Sequence, residues 1–151
     1  MEELKKGQKA PDFTATDQSG NPIKLSNYKG SKVILYFYPK DNTPGCNAEA
    51  CSLRDGYDDL LSKGFKIIGV SPDNLKSHQN FTEKFSLPFP LIPDTGKEII
   101  KAYGVWGRKK FMGKEYDGVF RTTFIIDEEG NIESIINKVD TKKHAVQILN
   151  L

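Results

Sequence analysis

The run Val33 to Tyr38 (VILYFY) has no polar interruption, the pattern of a central strand covered on both faces, and Pro39 ends it. Ahead of it, Phe13 to Thr16 and Ile23 to Leu25 are short extended pieces around a Gly20-Asn21-Pro22 turn, which predicts an N-terminal hairpin capping the core. After the loop Lys40-Asp41-Asn42, apolar positions recur at helical spacing at Ala50, Leu53, Tyr57, Leu60 and Leu61. One amphipathic helix is therefore expected from Thr43-Pro44 to Lys63-Gly64, with Thr43 at the N-cap and Pro44 at N1, where a missing N–H costs nothing. Phe65 to Val70 (FKIIGV) reads as the next strand, residues 74–86 as a helix, Phe89 to Ile92 as a short strand and Lys97 to Tyr103 as a short helix. Val119 to Ile126 (VFRTTFII) and Ile132 to Asn137 flank the loop Asp127-Glu128-Glu129-Gly130-Asn131, whose Gly and Asn suit a hairpin turn, and predict a second hairpin, with a last helix from Thr141.

This order argues for one α/β domain over residues 1–151 with helices flanking a mixed sheet, parallel in the middle and antiparallel at one end. That is a thioredoxin-like arrangement with an added N-terminal β-hairpin. No repeat or linker divides the 151 residues. A hydrophobic content of 37% and a charged content of 28% suit a globular core. The 22 basic and 20 acidic side chains leave +2, far below the basic excess of a nucleic-acid binder, so the short runs Arg108-Lys109-Lys110 and Lys142-Lys143 read as solvated surface. No stretch approaches the roughly 18 apolar residues of a membrane span, and MEELKKGQKAPDF lacks a signal-peptide core, so the expected compartment is the cytoplasm.

Two cysteines cannot form the disulfide framework of a small secreted domain; they are either buried apolar filler or chemistry. Cys46 stands at a special address. With Thr43 at the N-cap it falls at N3, where free backbone N–H groups and the positive end of the helix dipole favour an anion. Lowering a thiol from ~8.5 to about 6 requires roughly 3.4 kcal/mol, and the dipole supplies less than ~2 kcal/mol. A cation beside Cys46 is thus expected, and Arg121, a charge set in VFRTTFII, is the candidate; the alternative places it on an outward face beside a surface carboxylate. Full ionisation itself accelerates attack only ~30-fold, so donors for the developing transition-state charge are also needed: the Thr43 hydroxyl, Arg121 and the Gly45 and Cys46 N–H groups.

On a regular helix, Cys46 and Cys51 differ by ~140° in direction and ~7.5 Å in rise, which sets their Cα atoms about 8.7 Å apart, beyond the ~7 Å reach of a disulfide. A bridge between them requires the helix to unwind. No metal site is expected, because the cysteine spacing does not match a zinc knuckle and His78 and His144 lie in separate segments. Phe37, Tyr38 and Phe120 either make a site entrance apolar or pack the core, and Trp106, between glycines, reads as a loop anchor rather than a pocket wall.

The segments KAPDFTATDQSGNPIKLSNYKG, FYPKDNTPGCNAEACSLRD, YGVWGRKKFMGKEYDGVFRTTFIIDEEG and the KHA of the last helix together resemble a peroxiredoxin, nearest the bacterioferritin-comigratory-protein or PrxQ group. The resemblance implies that Cys46 is the peroxidatic cysteine, that Pro39, Thr43 and Arg121 complete its pocket, and that Glu49 is hydrogen-bonded into it. It implies further that Cys51 resolves the sulfenic acid as an intramolecular disulfide, that hydrogen peroxide and organic hydroperoxides are substrates, and that thioredoxin or a similar dithiol recycles the enzyme with no prosthetic group. A monomer is expected, with a weak dimer as the alternative. Two other readings stay open at this point: a thiol-disulfide exchange protein, against which the missing CxxC counts, and a redox sensor or holdase that signals by unfolding the same helix.

Overall fold

The computed structural model describes residues 3–151. Strands β1 (Thr14–Thr16) and β2 (Pro22–Lys24) pair antiparallel as the expected hairpin, and a 3-10 turn over Leu25–Tyr28 leads into β3 (Lys32–Phe37). Then follow α1 (Pro44–Asp55), α2 (Tyr57–Ser62), β4 (Phe65–Ser71), α3 (Leu75–Phe85), β5 (Leu91–Pro93) and α4 (Glu98–Ala102). The second half holds β6 (Trp106–Phe111), β7 (Lys114–Val119), β8 (Thr122–Ile126), β9 (Ile132–Ile136) and a 3-10 turn over Thr141–Lys143 that continues into α5 (His144–Leu149).

The central sheet has the order β5-β4-β3-β8-β9. β3 runs parallel to β4 and β4 to β5, whereas β8 is antiparallel to β3 and β9 to β8, which is the mixed thioredoxin-like sheet expected. Alternation along β3 divides the core into two layers. Val33, Leu35 and Phe37 join the layer that includes the N-terminal hairpin residues Phe13 and Ile23. Ile34, Tyr36 and Tyr38 face the other layer, where α1 lays down Cys46, Ala50 and Leu53. The apolar run that made β3 legible is thus the floor on which the cysteine helix rests. Phe37 and Tyr38 are wholly buried and belong to this packing, not to an entrance.

Three elements differ from expectation. The single long helix breaks at Gly56 into α1 and α2, because α5 packs there so closely that a β-carbon on Gly56 would lie 2.6 Å from that of Ala145. Trp106 to Val119 is not a loop but a two-stranded hairpin, turned at Met112 and Gly113 with φ of 50° and 79°. Positive φ at both central positions matches the twist of paired strands, and methionine there conceals the usual Asn-Gly signal. Finally, VFRTTFII is not one strand: β7 ends at Val119, β8 starts at Thr122, and Phe120 and Arg121 form the connection.

Candidate active site

Thr43 is extended (φ −112°, ψ 154°) and Pro44 opens α1, so Cys46 occupies the third helical position as its sequence context implies. The first intrahelical bond runs from the Asn47 N–H to the Thr43 carbonyl at 2.7 Å, which leaves the Gly45 and Cys46 N–H groups without intrahelical acceptors. The Thr43 side chain does not cap them. Its hydroxyl instead donates back to the Lys40 carbonyl at 2.9 Å, a correction to the capping role read from the sequence. With its hydrogen committed there, the Thr43 oxygen has only acceptor capacity left.

Arg121 reaches Cys46 because the β7–β8 connection swings it over the start of α1. Its Nη2 donates to Cys46 Sγ at 3.2 Å and its Nη1 to Glu49 Oε1 at 2.6 Å, so the planar fork spans one turn of the helix. Gly45 leaves room for this approach: a β-carbon there would lie 3.1 Å from Nη2. Cys46 is buried, Arg121 half-buried and Glu49 wholly buried. Burial drives the Glu49 carboxyl up to about 7, against the pull of the Arg121 charge and hydrogen bond. Burial works against the guanidinium as well, but Glu49 and then Cys46 outweigh it and hold Arg121 above its ordinary value. The pair thus keeps its positive member charged, and the cost of desolvation falls on the carboxyl.

Cys51 lies in the same unbroken helix and is partly exposed; both cysteines are free thiols. Pro39 sits half-buried at the bend that follows β3. The site also borders a cleft of about 480 Å³ lined by Arg121, Thr122, Tyr103, Trp106, Phe120 and Ile135 among others. Trp106 is therefore a wall of this cleft as well as a strand residue, and Phe120, exposed beside it, is the one member of the proposed apolar entrance that faces solvent.

Sequence reasoning missed two contributors. Lys109, taken for a solvated loop residue, donates to the Val119 carbonyl at 2.9 Å; burial and the Arg121 charge push its ammonium below the usual range while Cys46 pulls it up. Nothing in the run Trp106–Phe111 (WGRKKF) sets it apart from its basic neighbours, so the sequence carried no signal for it. His144, fully buried, brings Nε2 to 3.5 Å from Glu49 Oε2. The only group of metal-ligand side chains that converges among the described residues is Asp41, Asp73 and His78. Protein groups already occupy it: Asp41 accepts from Tyr38 at 2.6 Å, lies 2.6 Å from His78 Nδ1, and Asp73 accepts from Ser71 and the Asp41 N–H at 2.7 and 2.8 Å.

Residues 6–135 match the AhpC/TSA family. Peroxiredoxin Bcp of Escherichia coli is 42% identical over 150 residues, covering 99% of this chain and 96% of that protein. Among solved structures, a cysteine-to-serine mutant of Xylella fastidiosa PrxQ superposes with a TM-score of 0.92 at 28% identity over 99% of this chain and 96% of the other. The Xanthomonas campestris bacterioferritin comigratory protein, whose structures bear on alkyl peroxide reduction, superposes at 0.85 with 33% identity over 91% and 88%.

Proposed function

We propose, from the premise that this chain belongs to the AhpC/TSA family as a Bcp-type peroxiredoxin, that its peroxidase chemistry runs on Cys46 and is completed by Cys51. The chain is a thiol-dependent peroxidase, with a peroxide as substrate and a dithiol as reductant. The observation that carries the residue assignment is the Arg121 fork, which joins Cys46 to Glu49 at the open end of α1.

In the first step the Cys46 thiolate attacks the distal peroxide oxygen; an S–O bond forms, the O–O bond breaks, and the departing oxygen takes a proton to leave as water or alcohol. The thiolate is oxidised to sulfenic acid and the peroxide is reduced. The Gly45 and Cys46 N–H groups and Arg121 face the charge that grows on oxygen, and the Thr43 oxygen accepts the peroxide hydrogen. Pro39 and Glu49 hold the loop and the guanidinium in place. In the second step the Cys51 thiol condenses with the sulfenic acid, releasing water and forming a disulfide, for which α1 must unwind its first turns. A dithiol such as thioredoxin then attacks the exposed bridge and returns both thiols by way of a mixed disulfide.

The cleft beside Arg121 suits organic hydroperoxides as well as hydrogen peroxide, since its walls include Trp106, Phe120 and Ile135. We read the enzyme as a single domain over residues 1–151 that works as a monomer, with a weak dimer as the alternative. Among the described residues no helix is long and apolar enough to cross a membrane, and the cytoplasm would keep both thiols reduced. Consumption of NADPH by protein, thioredoxin, its reductase and peroxide tests the whole cycle. Loss of turnover is expected in Cys46→Ser, and in Cys51→Ser a single normal oxidation with poor recycling; turnover that survives Cys46→Ser overturns the assignment. One equivalent of peroxide should remove two hydrogens from a peptide holding both cysteines.

A further inference from the structure

The main chain determines the tautomer of a buried histidine behind the Cys46 site. Gln147 Nε2 donates to the Lys138 carbonyl at 2.9 Å, and its Oε1 accepts the Asp140 N–H at 3.0 Å, so two backbone groups orient this amide. His144 Nδ1 lies 2.9 Å from that same Oε1. An oxygen that only accepts requires a hydrogen on Nδ1, which leaves the Nε2 lone pair of the neutral ring for the Thr123 hydroxyl at 2.8 Å.

The same Nε2 is 3.5 Å from Glu49 Oε2, an oxygen that has no hydrogen-bond partner. His144, Thr123 and Glu49 are all wholly buried. A buried carboxylate oxygen beside an unprotonated ring nitrogen is costly, and a single proton on the pair relieves the conflict. On Oε2 it neutralises the carboxyl; on Nε2 it makes the ring a cation beside Oε2. Burial raises Glu49 and lowers His144, which favours the carboxyl.

We propose that His144 is a positioning residue of the peroxidase, which faces Glu49 with an unprotonated Nε2 so that the pair takes up a proton as Cys46 gives one up. The electrostatics follow from Arg121, which bonds both acids. With Glu49 ionised, one guanidinium is shared between two anions; with the pair protonated, it serves the thiolate alone. The other groups that face this centre are Tyr36 from β3, Lys109 from β6 and Asp140 ahead of α5, along with Cys46 on α1 itself. None of them donates to Oε2.

The inference rests on Cys46 being the reacting sulfur. Nitrogen-15 NMR of the His144 ring in the reduced full-length protein tests it directly. The expected spectrum has hydrogen on Nδ1 and none on Nε2, with an Nε2 inflection near pH 7 that vanishes in Glu49→Gln and moves in Cys46→Ser. A hydrogen fixed on Nε2, or an inflection indifferent to both substitutions, overturns the proposal. In stopped-flow oxidation, His144→Phe should react about tenfold more slowly at neutral pH, the scale of one charge-assisted hydrogen bond, with a displaced pH profile. An unchanged rate and profile in folded His144→Phe would count equally against it, and if that variant does not fold, the wild-type spectrum still decides. Peroxidase turnover in Cys46→Ser would sink the site assignment instead, while normal dependence on Cys46 with the wrong His144 tautomer would sink the role of His144 alone.

Discussion

Gly45 and Arg121 are matched in shape: a β-carbon on the glycine would lie 3.1 Å from Nη2 of the arginine, the nitrogen that donates to Cys46 Sγ. The glycine is in ordinary helical conformation, so what it supplies is space. The closeness of the fork to the helix end is what lets one guanidinium hold a sulfur and a carboxylate together.

Gly45→Ala should therefore act on rate and not on folding. Alanine is the better helix former by up to ~1 kcal/mol, while the guanidinium must retreat by a few tenths of an ångström. The expected outcome is a fall of roughly tenfold in the second-order rate of peroxide oxidation, as for loss of about one hydrogen bond, with unchanged or raised thermal stability. Stopped-flow fluorescence and a melting curve measure the two sides; a normal rate would mean that the spacing is immaterial.

Arg121→Ala should slow the oxidation of Cys46 by ~10²- to 10³-fold, the usual loss for a transition-state donor. The defect should persist at pH well above the thiol range if, as proposed, the donor also serves the oxygen that leaves. Arg121→Lys should recover only part of the rate, since a single ammonium cannot span Cys46 and Glu49 as a planar fork does. Complete recovery of Arg121→Ala at high pH would confine the arginine to ionising the sulfur.

Glu49 makes stability depend on pH in a defined direction. Its folded value of about 7 lies above the ordinary 4.5, so between these values the folded chain binds more protons than the unfolded one. The contribution is fully present below 4.5 and is lost as pH rises through about 7, worth on the order of 3 kcal/mol at most. Denaturant titrations at a series of pH values should show the wild type losing stability relative to Glu49→Gln across that window. A constant difference between the two proteins would contradict the raised carboxyl.

At the break between α1 and α2, Gly56→Ala should destabilise the fold by about 1–3 kcal/mol, the cost of overpacking, because its new methyl would meet Ala145 at 2.6 Å. Adding Ala145→Gly should restore most of the loss, less the price of a glycine within α5. Urea midpoints of the two single variants and the double variant decide the matter.

Much of this molecule can be read directly along the chain. Ile34, Tyr36 and Tyr38 on one face of β3 and Val33, Leu35 and Phe37 on the other are all buried, so the strand had to appear as an unbroken apolar run. Thr43-Pro44 likewise marks the helix start and puts Cys46 in the first turn, since backbone geometry at a helix N-terminus is a local matter.

Other features needed partners from distant segments. The hairpin of β6 and β7 carries mostly exposed polar side chains and bears no core pattern, so only its mutual backbone pairing defines it. Arg121 looked like a strand residue because its neighbours are apolar; leaving the strand is what turns it toward Cys46.

Sequence by itself determined the sheet, the helix that bears the cysteines and the address of Cys46, because each depends on periodicity or on dihedral preferences within a few residues. Only the tertiary structure decided that Gly56 breaks the helix against Ala145, that Arg121 bridges Cys46 and Glu49, and that His144 stands behind that carboxyl. Those outcomes depend on which surfaces pack together, and packing distances between remote segments leave no periodic trace in the chain.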